Sequence, residues 1–212
     1  MEDNEAKDLL YEIFDLIEKS NTPEELEKFR DIDGWPPTIL KFYDRVETNY
    51  HLIPFSFTNE EKAILKNNLS KFTPEKFMDP YTKLFYAMLW KQGDLPKLIH
   101  IIEGLVGKEK TSNQGMVLHQ FGKYLNNKRT QPIIDQHVVR AYKVFKNLDN
   151  DSLFNEYRRI NQLETGKHKT YIAEYVEWIK DMKPKMEGGE REKFLFKVDR
   201  ILMALGKAIK TK

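Results

Sequence analysis

The sequence predicts an all-α fold, a two-lobed helical array. Three observations carry that reading. Apolar residues recur at helical spacing through almost every segment. Helix-start patterns recur, each with a capping hydroxyl, as in Thr22-Pro23-Glu24-Glu25, Thr58-Asn59-Glu60-Glu61 and Thr73-Pro74-Glu75-Lys76. No run of alternating strand residues appears, Phe55-Ser56-Phe57 being too short to count.

Leu9, Leu10, Ile13, Phe14, Leu16 and Ile17 give the first helix a broad apolar face. The break at Asp33-Gly34-Trp35-Pro36-Pro37 precedes a helix over Thr38 to Tyr50. Leu84, Phe85, Ala87, Met88, Leu89 and Trp90 predict a buried helix, interrupted at Gly93-Asp94-Leu95-Pro96. Pro96 to Leu105 and Thr111 to Leu125 read as two more helices joined by a short polar link, and Asn126 to Gln131 as a basic loop. A helix follows Asp135 and buries Val138, Val139, Ala141, Tyr142 and Phe145. Helices over Leu153 to Leu163 and Thr170 to Met182 come next, then a Glu187-Gly188-Gly189-Glu190 hinge and a last helix carrying Phe194, Val198, Ile201, Leu202, Leu205 and Ile209. The helices of 1–72 are expected to pack with those of 150–212 as one lobe, and 73–149 to form the other, hairpin-containing lobe.

Composition narrows the function classes. The 212 residues are 40% hydrophobic, enough for a core, and the 32% charged residues nearly balance at net +2. This excludes a strongly basic nucleic-acid tail but leaves room for a local basic patch. Cysteine is absent, which rules out disulfides and cysteine-ligated zinc and fits a reducing cytoplasm. The acidic start, Met1 to Lys7, has no signal-peptide pattern, and no apolar run approaches the ~18 residues of a membrane span. The expectation is a cytoplasmic monomer with no membrane partner. There is no phosphate-cradling glycine loop and no Gly-x-Ser-x-Gly elbow. None of the five histidines enters a His-Glu-x-x-His or other metal pair, so neither metal nor cofactor is expected.

The chemistry-bearing candidate is Pro132-Ile133-Ile134-Asp135-Gln136-His137-Val138-Val139-Arg140. Asp135 stands at an N-cap position. A cap alone contributes about 1 kcal/mol. A helix N-terminus also favours an anion, so such an acid suits a partly dry cleft, where it can stabilise an oxocarbenium ion or orient a nucleophile. The second candidate is the corner Val106-Gly107-Lys108-Glu109-Lys110. It reads either as an ordinary corner with Gly107 as C-cap or as a hairpin whose amides face a DNA phosphate. Lys108, Lys110, Lys123, Lys128 and Arg129 read either as a solvated face or as a phosphate-contacting patch.

Glu103-Gly104-Leu105-Val106-Gly107-Lys108-Glu109-Lys110-Thr111-Ser112-Asn113 resembles the hairpin-and-lysine segment of the endonuclease III and 8-oxoguanine DNA glycosylase superfamily. Phe121-Gly122 resembles the end of that family's second hairpin helix. Ile133 to Arg140 resembles its apolar, apolar, Asp, x, His, apolar, x, Arg segment. The likeness covers Glu103 to Ala141. Gly107 lacks the family's preceding Pro-Gly, and the interval from Lys110 to Asp135 is longer than the family pattern. The absence of cysteine matches only members without an iron–sulfur cluster.

The resemblance implies a base-excision glycosylase acting on double-stranded DNA with a flipped, damaged base. Asp135 is then the catalytic carboxylate, anionic beside the sugar. Lys110 is the Schiff-base nucleophile of an additional AP-lyase step, with Lys108 and Lys123 as substitutes. Gly107, Lys108, Thr111, Lys123, Lys128 and Arg129 are the DNA contacts. Phe85, Tyr86, Trp90 and Trp178 are the candidates to stack on the base. Two rival readings are a non-catalytic helical DNA-binding or adaptor module and a protein–protein component of a defence or regulatory operon.

Overall fold

The computed structural model describes residues 1–67, 80–163, 165–182, 186 and 188–211, and for 81–83, 86 and 90 the backbone alone. The Thr73-Pro74-Glu75-Lys76 helix start and the side chains of Tyr86 and Trp90 lie outside the described residues. The chain is all-α, with no strand among the described residues. Its α-helices are α1 (Asp3–Lys19), α2 (Pro37–Asn49), α3 (Asn59–Asn67), α4 (Pro80–Gln92), α5 (Leu98–Leu105), α6 (Met116–Asn126), α7 (Gln136–Phe145), α8 (Asp151–Arg158), α9 (Gly166–Asp181) and α10 (Gly188–Ala208). Short 3₁₀ helices occupy Glu25–Asp31 and Leu95–Lys97.

These helices form two compact units, Met1–Pro54 with Lys128–Lys212 and Phe55–Asn127. In the first unit α7 is the central element, packed against α1, α8, α9 and α10. Every residue from Val138 to Val144 is buried, including Arg140 and Lys143. The chain supplies each buried charge with partners. Arg140 Nη1 donates to Gly206 O at 2.5 Å and to His137 Nδ1 at 2.6 Å, and Nη2 donates to Ile160 O. Burial lowers the Arg140 pKa to about 10, against the pull of Asp135. Arg191 donates to the carbonyls of Ile179, Lys180 and Met182, satisfying acceptors that the end of α9 leaves open. Phe14 stacks on Phe145 at 3.8 Å, and Trp178 joins Phe14, Tyr142 and Tyr175 in one aromatic cluster.

In the second unit α5 packs on α6. The contact is backbone to backbone. A Cβ on Gly104 would lie 1.9 Å from His119 O, and one on Gly122 would lie 2.0 Å from Ile101 O. Only glycine fits at either point.

The structure corrects several expectations. The residues expected to form a buried helix in 84–90 are helical but face solvent: Leu84, Phe85 and Met88 are 65%, 59% and 49% exposed. The apolar letters are there; among the described residues these three side chains remain exposed. The helix expected from Thr111 begins at Met116, after Gly115 in the left-handed region at φ 65°. Of the expected Glu187-Gly188-Gly189-Glu190 hinge, Glu187 lies outside the described residues, and Gly188, at φ 61°, opens α10. The Thr58 capping box forms as expected, with Glu61 N donating to Thr58 Oγ1 and Thr58 N to Glu61 Oε2.

Candidate active site

Asp135 is the N-cap of α7. The chain arrives extended, and Asp135 Oδ1 accepts the amides of His137 at 2.7 Å and Val138 at 2.8 Å. This satisfies two of the donors that a helix start leaves open. Among the described residues Oδ2 takes no hydrogen bond. Gly206 seats the far end of α10 against this turn, since a Cβ there would meet His137 O at 1.9 Å. Burial, partly offset by the Asp135 charge, lowers the His137 pKa, and its ring accepts from Arg140. His137 and Arg140 thus brace the segment that carries Asp135.

Asp135 lines a cavity of about 330 Å³ within the first unit. Small-molecule sites span roughly 300–1,000 Å³ and are mostly apolar with a few polar groups, and this one fits. Phe42, Val46, Tyr50, Ile133, Val138, Phe196 and Met203 supply apolar wall. Among the described residues its charged or titratable carboxyl and guanidinium groups are Asp135, Asp199 and Arg200, and no lysine lines it. Arg200 lies 4.2 Å over the Phe196 ring, donates to Tyr50 O, and reaches Glu47 at 3.7 Å.

Asp199 is the residue that the sequence reading passed over. It sits on α10, buried, with Oδ2 accepting from Ile133 N at 2.7 Å and Oδ1 from Tyr175 Oη at 2.7 Å. No lysine, arginine or histidine lies within ion-pair distance of it among the described residues. Burial pushes its carboxyl up to about 8, the two hydrogen bonds pull it back, and the Asp135 charge raises it further. Asp135 and Asp199 therefore share one cavity in contrasting settings. The first holds backbone amides at a helix start, and the second is enclosed and near neutral form at pH 7. The available signal was an acid between Leu195 and Leu202 on the apolar stripe of the last helix, a poor place for an acid without a task.

The hairpin candidates lie in the second unit. Gly107 has φ 74°, with its amide donating to Gly104 O at 3.3 Å and the Lys108 amide to Glu103 O at 2.9 Å. Those two bonds make a Schellman corner. Both amides are engaged inside the chain, and ten residues, 106–115, separate α5 from α6. Lys110 Nζ donates to His100 Nδ1 at 2.8 Å and lies 3.6 Å from Glu103. Lys108 pairs with Glu103 at 2.9 Å. The Lys108 hydrogen bond, then the charges of both lysines, outweigh partial desolvation and hold the Glu103 carboxyl below its usual range. His119 bonds Lys108 O at 2.8 Å, and burial lowers its pKa.

Of the other named residues, Thr111 and Lys123 are exposed in the second unit. In the first unit, Lys128 donates to Ile53 O and lies 3.8 Å from Glu192, and Arg129 is exposed with its carbonyl accepting from Arg191. Asp135 belongs to the first unit and Lys110 to the second. Trp178 is a member of the aromatic cluster and does not line the cavity; the rings that do are Phe42, Tyr50 and Phe196.

No protein-family model, curated protein or solved structure matches this chain. Among the described residues no group of three or more metal-binding side chains gathers, and no helix is long and apolar enough to cross a membrane.

Proposed function

We propose that the chain is a base-excision DNA glycosylase, a cytoplasmic monomer that takes a flipped, damaged base from double-stranded DNA into the cavity beside Asp135. One observation carries this reading. A carboxylate gripped by two amides at the start of α7 keeps its second oxygen unpartnered and lines an apolar cavity of ligand size. That arrangement suits a reaction in which positive charge develops on a sugar carbon. A fixed anion stabilises such charge most where water is scarce. Phe42, Tyr50 and Phe196 offer rings and apolar wall to a flat base.

Water is the favoured nucleophile. The Lys110 amine is engaged by His100 and Glu103 in the second unit, and no lysine is among the described residues that line the cavity. The lyase arm of the reading is tested by borohydride trapping. With water as nucleophile no adduct forms; a covalent adduct of wild-type protein with lesion DNA that Lys110→Ala abolishes would restore the lyase arm. The glycosylase reading itself is tested by single-turnover base release from a lesion panel. Asp135→Asn retains a capping side chain, folds normally, and loses roughly 10²–10³-fold in rate. Wild-type protein that releases no base from any lesion overturns the reading.

A non-catalytic interaction module is the second reading. It draws on the apolar surface of α4 at Leu84, Phe85 and Met88 and on the internally engaged amides of Gly107 and Lys108. Capture of one stoichiometric protein partner, with no DNA affinity at low salt, selects it.

A further inference from the structure

We propose that Asp199 is a second catalytic residue of the same cavity, a general acid that protonates the departing base while Asp135 stabilises the sugar. The inference rests on the glycosylase reading. It starts from two carboxyl groups lining one apolar cavity from different elements, the N-terminus of α7 and the middle of α10. When the environments of two acids diverge this far, the neutral one is suited to give a proton and the charged one to face a cation.

The surroundings of Asp199 assign it the acid role. The cavity it lines is walled by Ile133, Val138, Phe196 and Met203, by Phe42 and Val46 of α2, and by Tyr50 just after α2. The polar groups facing it are few. Tyr175 Oη from α9 and Ile133 N ahead of α7 both donate to it. Asp135 repels its ionised form. Arg200, its neighbour on α10, is engaged with Tyr50 O and Glu47 on α2. From the 3₁₀ helix Glu25–Asp31, Glu27 pairs with Lys197 and Arg30. Among the described residues no cation compensates an Asp199 anion at close range, so the proton stays until a better acceptor enters the cavity. Both carboxyl oxygens already accept one hydrogen bond each. In the protonated acid Tyr175 Oη, 2.7 Å away, can also accept, and a base nitrogen or exocyclic oxygen entering the cavity competes with it for the proton.

The step balances as a hydrolysis. The bond from C1′ to the base nitrogen breaks, and its electron pair leaves with the base. The Asp199 proton goes to the base. Water adds its oxygen to C1′, and the proton it sheds restores Asp199. Asp135 stays anionic throughout.

The choice of base gives the test. A neutral base leaves poorly without a proton, whereas 7-methylguanine already carries a positive charge and leaves without one. Single-turnover release is measured from pH 6 to 10 on duplexes carrying 8-oxoguanine, hypoxanthine, uracil or 7-methylguanine. On neutral bases the wild-type rate falls about tenfold per pH unit above about pH 8. Asp199→Asn loses that limb and runs roughly 10²–10⁴-fold slower. On 7-methylguanine its deficit is less than tenfold. A circular-dichroism melt of Asp199→Asn checks that it folds. Equal losses on neutral and cationic bases, or an unchanged pH profile, overturn the acid role and leave the glycosylase reading standing. Wild-type protein that releases no neutral base overturns the acid role, and if it releases 7-methylguanine the glycosylase reading survives. No release from any duplex overturns both.

Discussion

Asp199 places a carboxyl where ionisation is unfavourable, and this ties stability to pH independently of any catalysis. Its pKa is about 8 in the folded chain and about 3.9 in an unfolded one. Between those values the folded state holds a proton that the unfolded state has released. Stability therefore falls as pH rises from about 4 to about 8, and the loss is complete above that. Asp199→Asn removes this slope. Its urea midpoint relative to wild type is expected to rise steadily from pH 5 to pH 9, since the other carboxyl groups are common to both proteins. Parallel midpoints across that range refute the buried, protonated acid. Asp135 behaves differently, because it lies at a helix start with its amide partners two and three residues away. That is why its cap was legible in the sequence: local spacing determines it. Asp199 gets its partners from Ile133 and Tyr175, which are 66 and 24 residues distant. No short pattern reports a contact of that kind.

At the scale of elements, the crossing of α5 and α6 depends on two glycines that place backbone against backbone. Alanine at Gly122 would press its Cβ to 2.0 Å from Ile101 O, and a carbonyl inside a helix cannot swing aside as a side chain can. Gly122→Ala is expected to cost about 1–3 kcal/mol through forced separation of the pair. The effect should be local. Amide exchange accelerates in α5 and α6 and is unchanged in α7, as mass spectrometry of peptide fragments would read. Acceleration spread evenly over both units would refute a local crossing defect. Helical period located these elements well, because core-facing residues must recur at that spacing. It served less well at the ends. The helix expected from Thr111 starts only at Met116, where Gly115 supplies the left-handed turn and lies under the His100 ring. Period also cannot say whether an apolar face is covered, and α4 shows the consequence at Leu84 and Phe85.

At the scale of the whole chain, the first unit is discontinuous in sequence, leaving at Pro54 and resuming at Lys128. Its core nevertheless draws on both pieces. Lys197 pairs with Glu27, Arg158 with Asp3 and Lys7 with Asp151, while α10 packs on α2 and α7 on α1. The two ends of the break are tied together, since Lys128 Nζ donates to Ile53 O and Arg200 to Tyr50 O. A short flexible linker can therefore replace 55–127 without stretching the core, and closing a loop costs little more as its length changes. A chain joining Pro54 to Lys128 through a Gly/Ser linker is expected to melt cooperatively. Its fluorescence should match that of a full-length Trp90→Phe variant, because the two remaining tryptophans, Trp35 and Trp178, both lie in this unit. All the described residues that line the cavity belong to this unit, so the shortened chain also keeps Asp135 and Asp199 together. The pH dependence of its stability, and the change made by Asp199→Asn, should then match the full-length protein. A shortened chain that melts without cooperativity, or that loses the Asp199 slope, would place part of the site's support in residues 55–127.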